Sequence, residues 1–488
     1  MSSHYKLVIV ESPSKCKKIE QYLNDNIKSS CVYKCIASFG HIRELNGLES
    51  INIHNNFAPT FIECASKKEQ IGKMRRAIKA ADEVILASDD DREGEAIAWH
   101  LCQIFDLSIE TTKRIIFHEI TAHAIQTAIE SPSKINMNTV HAQLARQVLD
   151  VLVGYRLSPL LWKHVKDGLS AGRCQTPALR LIYENQREIA LAPGKQSYVV
   201  TGYFTNKTIP FVLNHAETDE SQMREFLEES RTHAHIYNEY KLRTKTSAPP
   251  LPFSTSTLQQ TASNELHLSP KETMALCQSL YEEGYITYHR TDSQTYSVDF
   301  KAQAAFYIMT TYGDNYLNLE KTNHVSYDLS AHEAIRPTNI KCIELNGDSN
   351  RENRLYQLIR RRTLESLMTA ASISVLTATL TAPRNYEYIY NTEHIIFAGW
   401  KIVAAGTSAA GTSAAGTSAA GTSASEANKE YTYLQSLKPK LSLPYQKIKA
   451  IKHLTETKQH YTEAKLVSLL EEKGIGRPST FSSLVEKI

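Results

Sequence analysis

The chain has none of the cysteine spacing that marks a stapled or zinc-bound fold. Its eight cysteines, Cys16, Cys31, Cys35, Cys64, Cys102, Cys174, Cys277 and Cys342, include no CxxC pair. Cys31 and Cys35 lie four apart with no second pair nearby, so free thiols in a reducing compartment are expected. No apolar run reaches the ~18–20 residues of a membrane span, and the first residues run straight into an apolar strand with no secretory leader. A soluble, intracellular protein with no membrane partner is therefore expected. Charge of one sign is scarce too. The formal net charge is only +3 over 488 residues, so a nucleic-acid partner would need a local basic stripe offset by acidic patches elsewhere. That length suits roughly three or four domains with sizeable cores.

What the chain does have is carboxylate at the ends of apolar strands. Residues 5–11, Tyr-Lys-Leu-Val-Ile-Val-Glu, read as a buried parallel strand ending on Glu11. Residues 84–91, Val-Ile-Leu-Ala-Ser-Asp-Asp-Asp, repeat the arrangement, and Arg92-Glu93-Gly94-Glu95 opens an apolar-periodic helix. Function gathers at the carboxyl ends of strands in a doubly wound sheet, which is where Glu11 and Asp89 would sit. Alternate residues of an extended segment share a face, so Asp89, Asp91 and Glu93 are expected to point together. Such crowding calls for a hard divalent cation or a shared proton, and an all-oxygen site favours magnesium over zinc. A solvated acidic loop is the bland alternative.

A second cluster lies at 284–293, Gly-Tyr-Ile-Thr-Tyr-His-Arg-Thr-Asp-Ser. Tyr288 stands two residues before Arg290, and a tyrosine beside a guanidinium suits phosphoryl transfer: the phenol attacks phosphorus while the fork holds phosphate oxygens. Most of the 25 tyrosines must pack rather than react, so Tyr288 gains weight only beside the acidic cluster.

These two clusters, with Leu-Ser-Ala-Gly-Arg-Cys-Gln at 169–175, His-Glu-Ala-Ile-Arg-Pro-Thr at 332–338 and Gly-Ile-Gly-Arg-Pro-Ser-Thr at 474–480, resemble the type IA DNA topoisomerases, in motif order along nearly the whole chain. The acidic motifs alone resemble the TOPRIM module, which primases, type II topoisomerases and some nucleases also carry. The resemblance implies a mixed α/β multidomain toroid of four domains with an N-terminal TOPRIM-like parallel α/β domain. It implies a monomer acting on single-stranded or underwound DNA with Mg2+. Tyr288 would form a 5′-phosphotyrosine link, leave a free 3′-hydroxyl and need no ATP to reseal. Arg290 and His332 would contact the scissile phosphate. Glu11 would transfer a proton or bind metal, and Lys15 would stabilise the phosphorane or protonate the leaving oxygen. Asp89, Asp91 and Glu93, with Glu11, would hold magnesium. His41, Arg146, Tyr155, Ser170, Gly172, Arg173, Gln175, Arg477, Ser479 and Thr480 match positions that lead the single strand to the site.

The motifs lean toward the bacterial topoisomerase I branch, acting to relax negative supercoils. A topoisomerase III-like decatenase is the alternative, and a TOPRIM nuclease or primase-like enzyme a more distant one. No GxxxxGK[ST] loop precedes the acidic domain, which argues against reverse gyrase. Many bacterial relatives carry adjacent arginines where this chain has Arg146 and Gln147, so their base preference is not carried over. The chain is expected to be shortened relative to relatives that continue into cysteine-rich zinc modules.

Patterning divides the chain into an acidic α/β domain at 1–137, a helical strand-binding domain at 138–195 plus 436–488, a β-rich arch at 196–248 plus 376–435, and a helical nucleophile domain at 249–375. Residues 404–423 are four copies of Ala-Ala-Gly-Thr-Ser, natural or introduced. Small residues without an apolar face make a flexible tether of about 25 Å mean span.

Overall fold

The computed structural model describes residues 4–25, 32–320, 332–345, 350–407 and 424–488. Cys31 and residues 408–423 of the expected tether lie outside them; residues 404–407 fall within the helix Ile402–Thr407. The other seven cysteines are free. Among the described residues no helix is long and apolar enough to cross a membrane.

The N-terminal unit is built on β1 (Tyr5–Val10), α1 (Pro13–Asp25), β2 (Val32–Ala37), β3 (Glu83–Ala87), α2 (Arg92–Phe105) and β4 (Lys113–Arg114). The strands form one parallel sheet in the order β2-β1-β3-β4. The apolar runs of β1 and β3 lie side by side, with Val10 opposite Ala87. Their carboxyl ends, Glu11 and Ser88–Asp89, are therefore neighbours, as the parallel reading requires.

Two long helices follow, α3 (Met137–His164) and α4 (Gln175–Leu191). The chain then enters a six-stranded antiparallel sheet from β5 (Lys195–Tyr203), β6 (Pro210–Leu213) and β7 (Lys241–Ser247). It leaves for the helical unit of α5 (Thr255–Leu266), α6 (Pro270–Glu282) and α7 (Asn350–Leu367), and returns as β8 (Ala371–Thr381) and β9 (Glu387–Phe397). The sheet is completed by β10 (Lys447–Thr455), giving the order β7-β8-β9-β6-β5-β10. Helices α8 (Glu463–Glu472) and α9 (Phe481–Lys487) end the chain.

Three expectations are corrected. The last fifty residues are not all helical, because β10 pairs with β5 along its full length. The alternation Lys447-Ile448-Lys449-Ala450 that opens it is a strand pattern. The boundary drawn at 375/376 cuts through β8, whose first residues already pair with β7. The segment 196–248, expected to be β-rich, also holds the helix Glu220–Thr232.

Two features of the core bear on function. One apolar cluster joins Val8, Val10, Ile85 and Ala87 of the parallel sheet to Phe253, Leu258, Tyr281, Tyr288 and Tyr356 of the helical unit. A second packs Ala178, Leu181 and Ile182 of α4 against Leu466, Val467, Leu470, Phe481 and Leu484. The first seals the acidic unit onto the nucleophile unit. The second brings the segment 170–175 and the returning segment 477–480 into one helical body.

Candidate active site

Local folding sets the acidic loop. Asp91 caps α2, its Oδ1 accepting the Gly94 N–H at 2.7 Å. A Cβ on Gly94 would lie 2.1 Å from the Asp89 carbonyl oxygen, so only glycine lets the helix start this close to the loop. Beneath the loop sits Arg114, 0% exposed. Its guanidinium donates to the Ser88 carbonyl at 2.7 Å and the Asp89 carbonyl at 2.9 Å, and its Nε to Glu95 at 3.3 Å. Two N–H groups of the rigid fork thus fix the backbone that presents Asp89. Sequence reading missed Arg114, whose partners lie far along the chain.

The shared-face expectation for the three carboxylates fails, because residues 92–105 are helix and the period-2 argument stops at Asp91. Each carboxylate has a different environment. Asp89 pairs with Lys15, a lysine 0% exposed whose Nζ also lies 4.8 Å from the Tyr281 ring centroid. Asp91 Oδ2 accepts the Tyr288 hydroxyl at 2.7 Å. Glu93 turns away, receiving Arg146 Nη1 at 2.8 Å and Gln143 Nε2 at 3.0 Å, with His41 Nε2 at 3.0 Å. Burial alone would raise the Glu93 pKa, but the His41 hydrogen bond and the Arg146 charge hold it below the usual carboxylate range. Two positions matched to the DNA path, His41 and Arg146, are thereby occupied by a carboxylate matched to the metal.

Glu11, Lys15, Asp89 and Arg290 line one open cavity of about 420 Å³, which residues of α6 and Ser482, Ser483 and Glu486 of α9 also line. Burial, then the charge of Asp89, pushes the Glu11 carboxyl up to about 7, with Lys15 opposing. Tyr288 is 3% exposed, its backbone N–H donating to the His118 carbonyl at 2.7 Å. Burial first, then Asp91 and Asp89, raise its phenol well above the ordinary value, and Arg290 opposes them only in part. In this state the phenol is a hydrogen-bond donor. Burial, then the charges of Arg290 and Lys15, push the adjacent His289 well below its usual value, so it is neutral.

His332 is placed by its own motif. Arg336, buried, bridges Glu119 at 2.9 Å and Glu333 at 2.7 Å, tying the 332–338 segment to the acidic unit. His332 thus stands with its ring 6.3 Å from that of Tyr288 and 6.0 Å from that of His118. Asp90 and His118, which sequence reading did not single out, share this corner.

The strand-leading positions lie apart from the cavity. Tyr155 is 56% exposed on α3, with Trp162 two turns on along the same side, while Leu157 and Leu160 are exposed on the opposite side. Arg173 forks onto Asp150 at 2.8 and 3.3 Å. Gln175 Nε2 folds back to the Ser170 carbonyl at 2.7 Å and hydroxyl at 3.0 Å, beside Gly172. The Arg477 N–H donates to Thr480 Oγ1 at 2.9 Å, one residue past Ser479, as the chain turns into α9. Since α9 also lines the cavity, this turn lies beside the space that Glu11, Lys15, Asp89 and Arg290 share.

Comparison with known proteins agrees with this arrangement. Residues 6–120 match the family model for the Toprim domain, and residues 134–488 match that for DNA topoisomerase. Full-length topoisomerase I from Thermotoga maritima superposes with a TM-score of 0.80 at 32% identity, over 98% of this chain and 77% of that one. The two family matches together span nearly all of the chain, and with the solved structure they show that the chain belongs to the type IA DNA topoisomerases.

Proposed function

We propose that Tyr288 cuts one strand of underwound DNA through a 5′-phosphotyrosine intermediate, that a second strand passes through the gate, and that the cut is then resealed. The observation that carries this reading is the buried Tyr288 hydroxyl donating to Asp91, close enough to Asp89 and Arg290 to feel their charges, two residues that line a cavity with Lys15 and Glu11. In cleavage the phenol oxygen bonds to phosphorus, its proton passes along the existing hydrogen bond to Asp91, and the P–O3′ bond breaks. Arg290 holds the phosphate oxygens, and Lys15 offsets the growing negative charge. With no cation bound, Glu11, its pKa near 7, is about half protonated at neutral pH and gives that proton to the leaving 3′-oxygen. Resealing runs the same steps backward, with Glu11 as base. Bond energy stays in the phosphotyrosine ester, so no ATP is required.

The carboxylate oxygens of Asp89 and Asp91, with Glu11 beside them, are hard donors of the type magnesium takes; burial first and the Asp89 charge second raise the Glu11 pKa, and a cation would relieve the second of these. Bound there, Mg2+ would screen the carboxylates and align the free 3′-hydroxyl for resealing. Glu93 serves this set less well, committed as it is to Arg146, Gln143 and His41.

The strand reaches the cavity along Ser170, Gly172, Arg173 and Gln175 and the turn at Arg477–Thr480, where hydroxyls, N–H groups and arginines suit phosphate. Relaxation of negative supercoils is the expected outcome, because underwound duplex supplies single strands. The test is a 3′-end-labelled oligonucleotide quenched with denaturant: label on the wild-type protein and none on Tyr288→Phe is expected. Cut DNA with free 5′-phosphate ends and unlabelled protein would overturn the reading. Faster relaxation of negatively supercoiled circles than unlinking of gapped ones is expected of the relaxing role; the reverse order would assign decatenation.

A further inference from the structure

Asp90, His118 and His332 come from three separate segments: the acidic loop, the stretch after β4, and the 332–338 motif. Asp90 Oδ2 lies 3.6 Å from His118 Nδ1 and 3.8 Å from His332 Nδ1, too long for hydrogen bonds. One ligand atom from each residue falls within 4.8 Å of the other two. All three of these atoms are buried and have no hydrogen-bond partner among the described residues. Buried polar atoms are normally satisfied, and three orphans facing one point require an explanation. A carboxylate among them argues against an anion as the missing partner. A cation answers all three.

We propose that Asp90, His118 and His332 form a second cation site, separate from the carboxylate pair Asp89 and Asp91, selective for a divalent transition ion of the zinc class. Two imidazole nitrogens and one carboxylate oxygen are a borderline donor set that zinc accepts and magnesium disfavours. Zinc bonds to such atoms at about 2.0–2.1 Å, which sets tetrahedral ligand atoms about 3.4 Å apart. The observed 3.6 and 3.8 Å need only a small inward shift. Three protein ligands leave a fourth position open for water or a phosphate oxygen. Ligation through Nδ1 would fix the His332 proton on Nε2, so the ring would remain a donor with its tautomer set. The binding proposal does not depend on the role given to His332 in cleavage.

The test uses Co2+ as a spectroscopic stand-in for Zn2+, with the full chain in excess Mg2+ to occupy the carboxylate site. One equivalent of Co2+ is expected to give the visible bands of a low-coordinate nitrogen-ligated ion, displaced by one equivalent of Zn2+. His118→Gln and Asp90→Asn should each weaken binding about a hundredfold or more, since losing even an outer partner of a ligand costs about 10- to 100-fold. Unchanged circular dichroism of both variants would show that they fold. Absence of the bands, their persistence in both variants, or thiolate charge-transfer absorption showing ligation by a free cysteine would each overturn the proposal.

Discussion

The buried site around Tyr288 and the surface around Tyr155 face the same expected substrate in opposite ways. In the buried site, groups suited to DNA are already paired with one another: Tyr288 with Asp91, Lys15 with Asp89, and nearby Arg146 and His41 with Glu93. On α3 and the turn before α4 the polar groups make part-exposed pairs, such as Arg173 with Asp150, and Tyr155, Leu157, Leu160 and Trp162 are exposed. The buried region keeps its charges tolerable by internal pairing and must exchange partners to act. The open region can accept a strand without rearrangement. A shared apolar cluster seals the buried region, so admitting or passing a strand means separating packed surfaces.

The sharpest way to break this comparison is at Tyr288. Tyr288→Phe should lower covalent adduct beyond about a thousandfold. The same change should alter stability by only about 0.5–1.5 kcal/mol, the worth of one hydrogen bond, read by urea unfolding. A large stability loss would mean that the phenol's main role is structural.

Next in size is Arg114. Arg114→Met leaves Glu95 buried without its cation and should cost about 3–5 kcal/mol in urea unfolding, whereas the pair change Arg114→Met with Glu95→Leu should recover much of it. Equal losses for the single and double changes would show that the pair is not what supports the loop.

A smaller effect is expected from pH at Glu11. Its folded pKa, about 7, lies above the ordinary 4.5, so the folded state prefers the protonated form. Glu11 therefore contributes stability that is present at low pH and lost as pH rises from 4.5 to about 7. Single-turnover cleavage should fall over the upper part of that range, and Glu11→Gln should flatten the stability profile. A cleavage profile that rises through pH 7 would remove Glu11 as the acid.

The smallest effect on folding is expected at Arg173. Arg173→Ala should change stability by less than about 1 kcal/mol, its ion pair being half exposed. It should weaken oligonucleotide binding and reduce the slope of log affinity against log salt by about one. Unchanged salt dependence would take Arg173 off the strand path.

The two regions also differ in how far the sequence disclosed them. Glu11 and Asp89 were legible because each ends an apolar run, and parallel strands align such ends without knowledge of distant contacts. Tyr288 was legible only through its motif. The fate of Glu93 was not, since helix geometry begins one residue after Asp91 and its partners are set by how α3 crosses α2. Arg114, Asp90 and His118 escaped notice because their partners meet only when three segments pack together. The strand β10 was present as an alternation of lysine and apolar residues, but its exposed position at a sheet edge left the apolar signal weak.

The most direct test of the account is to trap the enzyme on a short single-stranded oligonucleotide, digest protein and DNA, and locate the nucleotide by peptide mass spectrometry. A nucleotide joined through its 5′-phosphate to Tyr288 is the expected result. A nucleotide on any other residue, or cleaved DNA with no modified peptide, would contradict it.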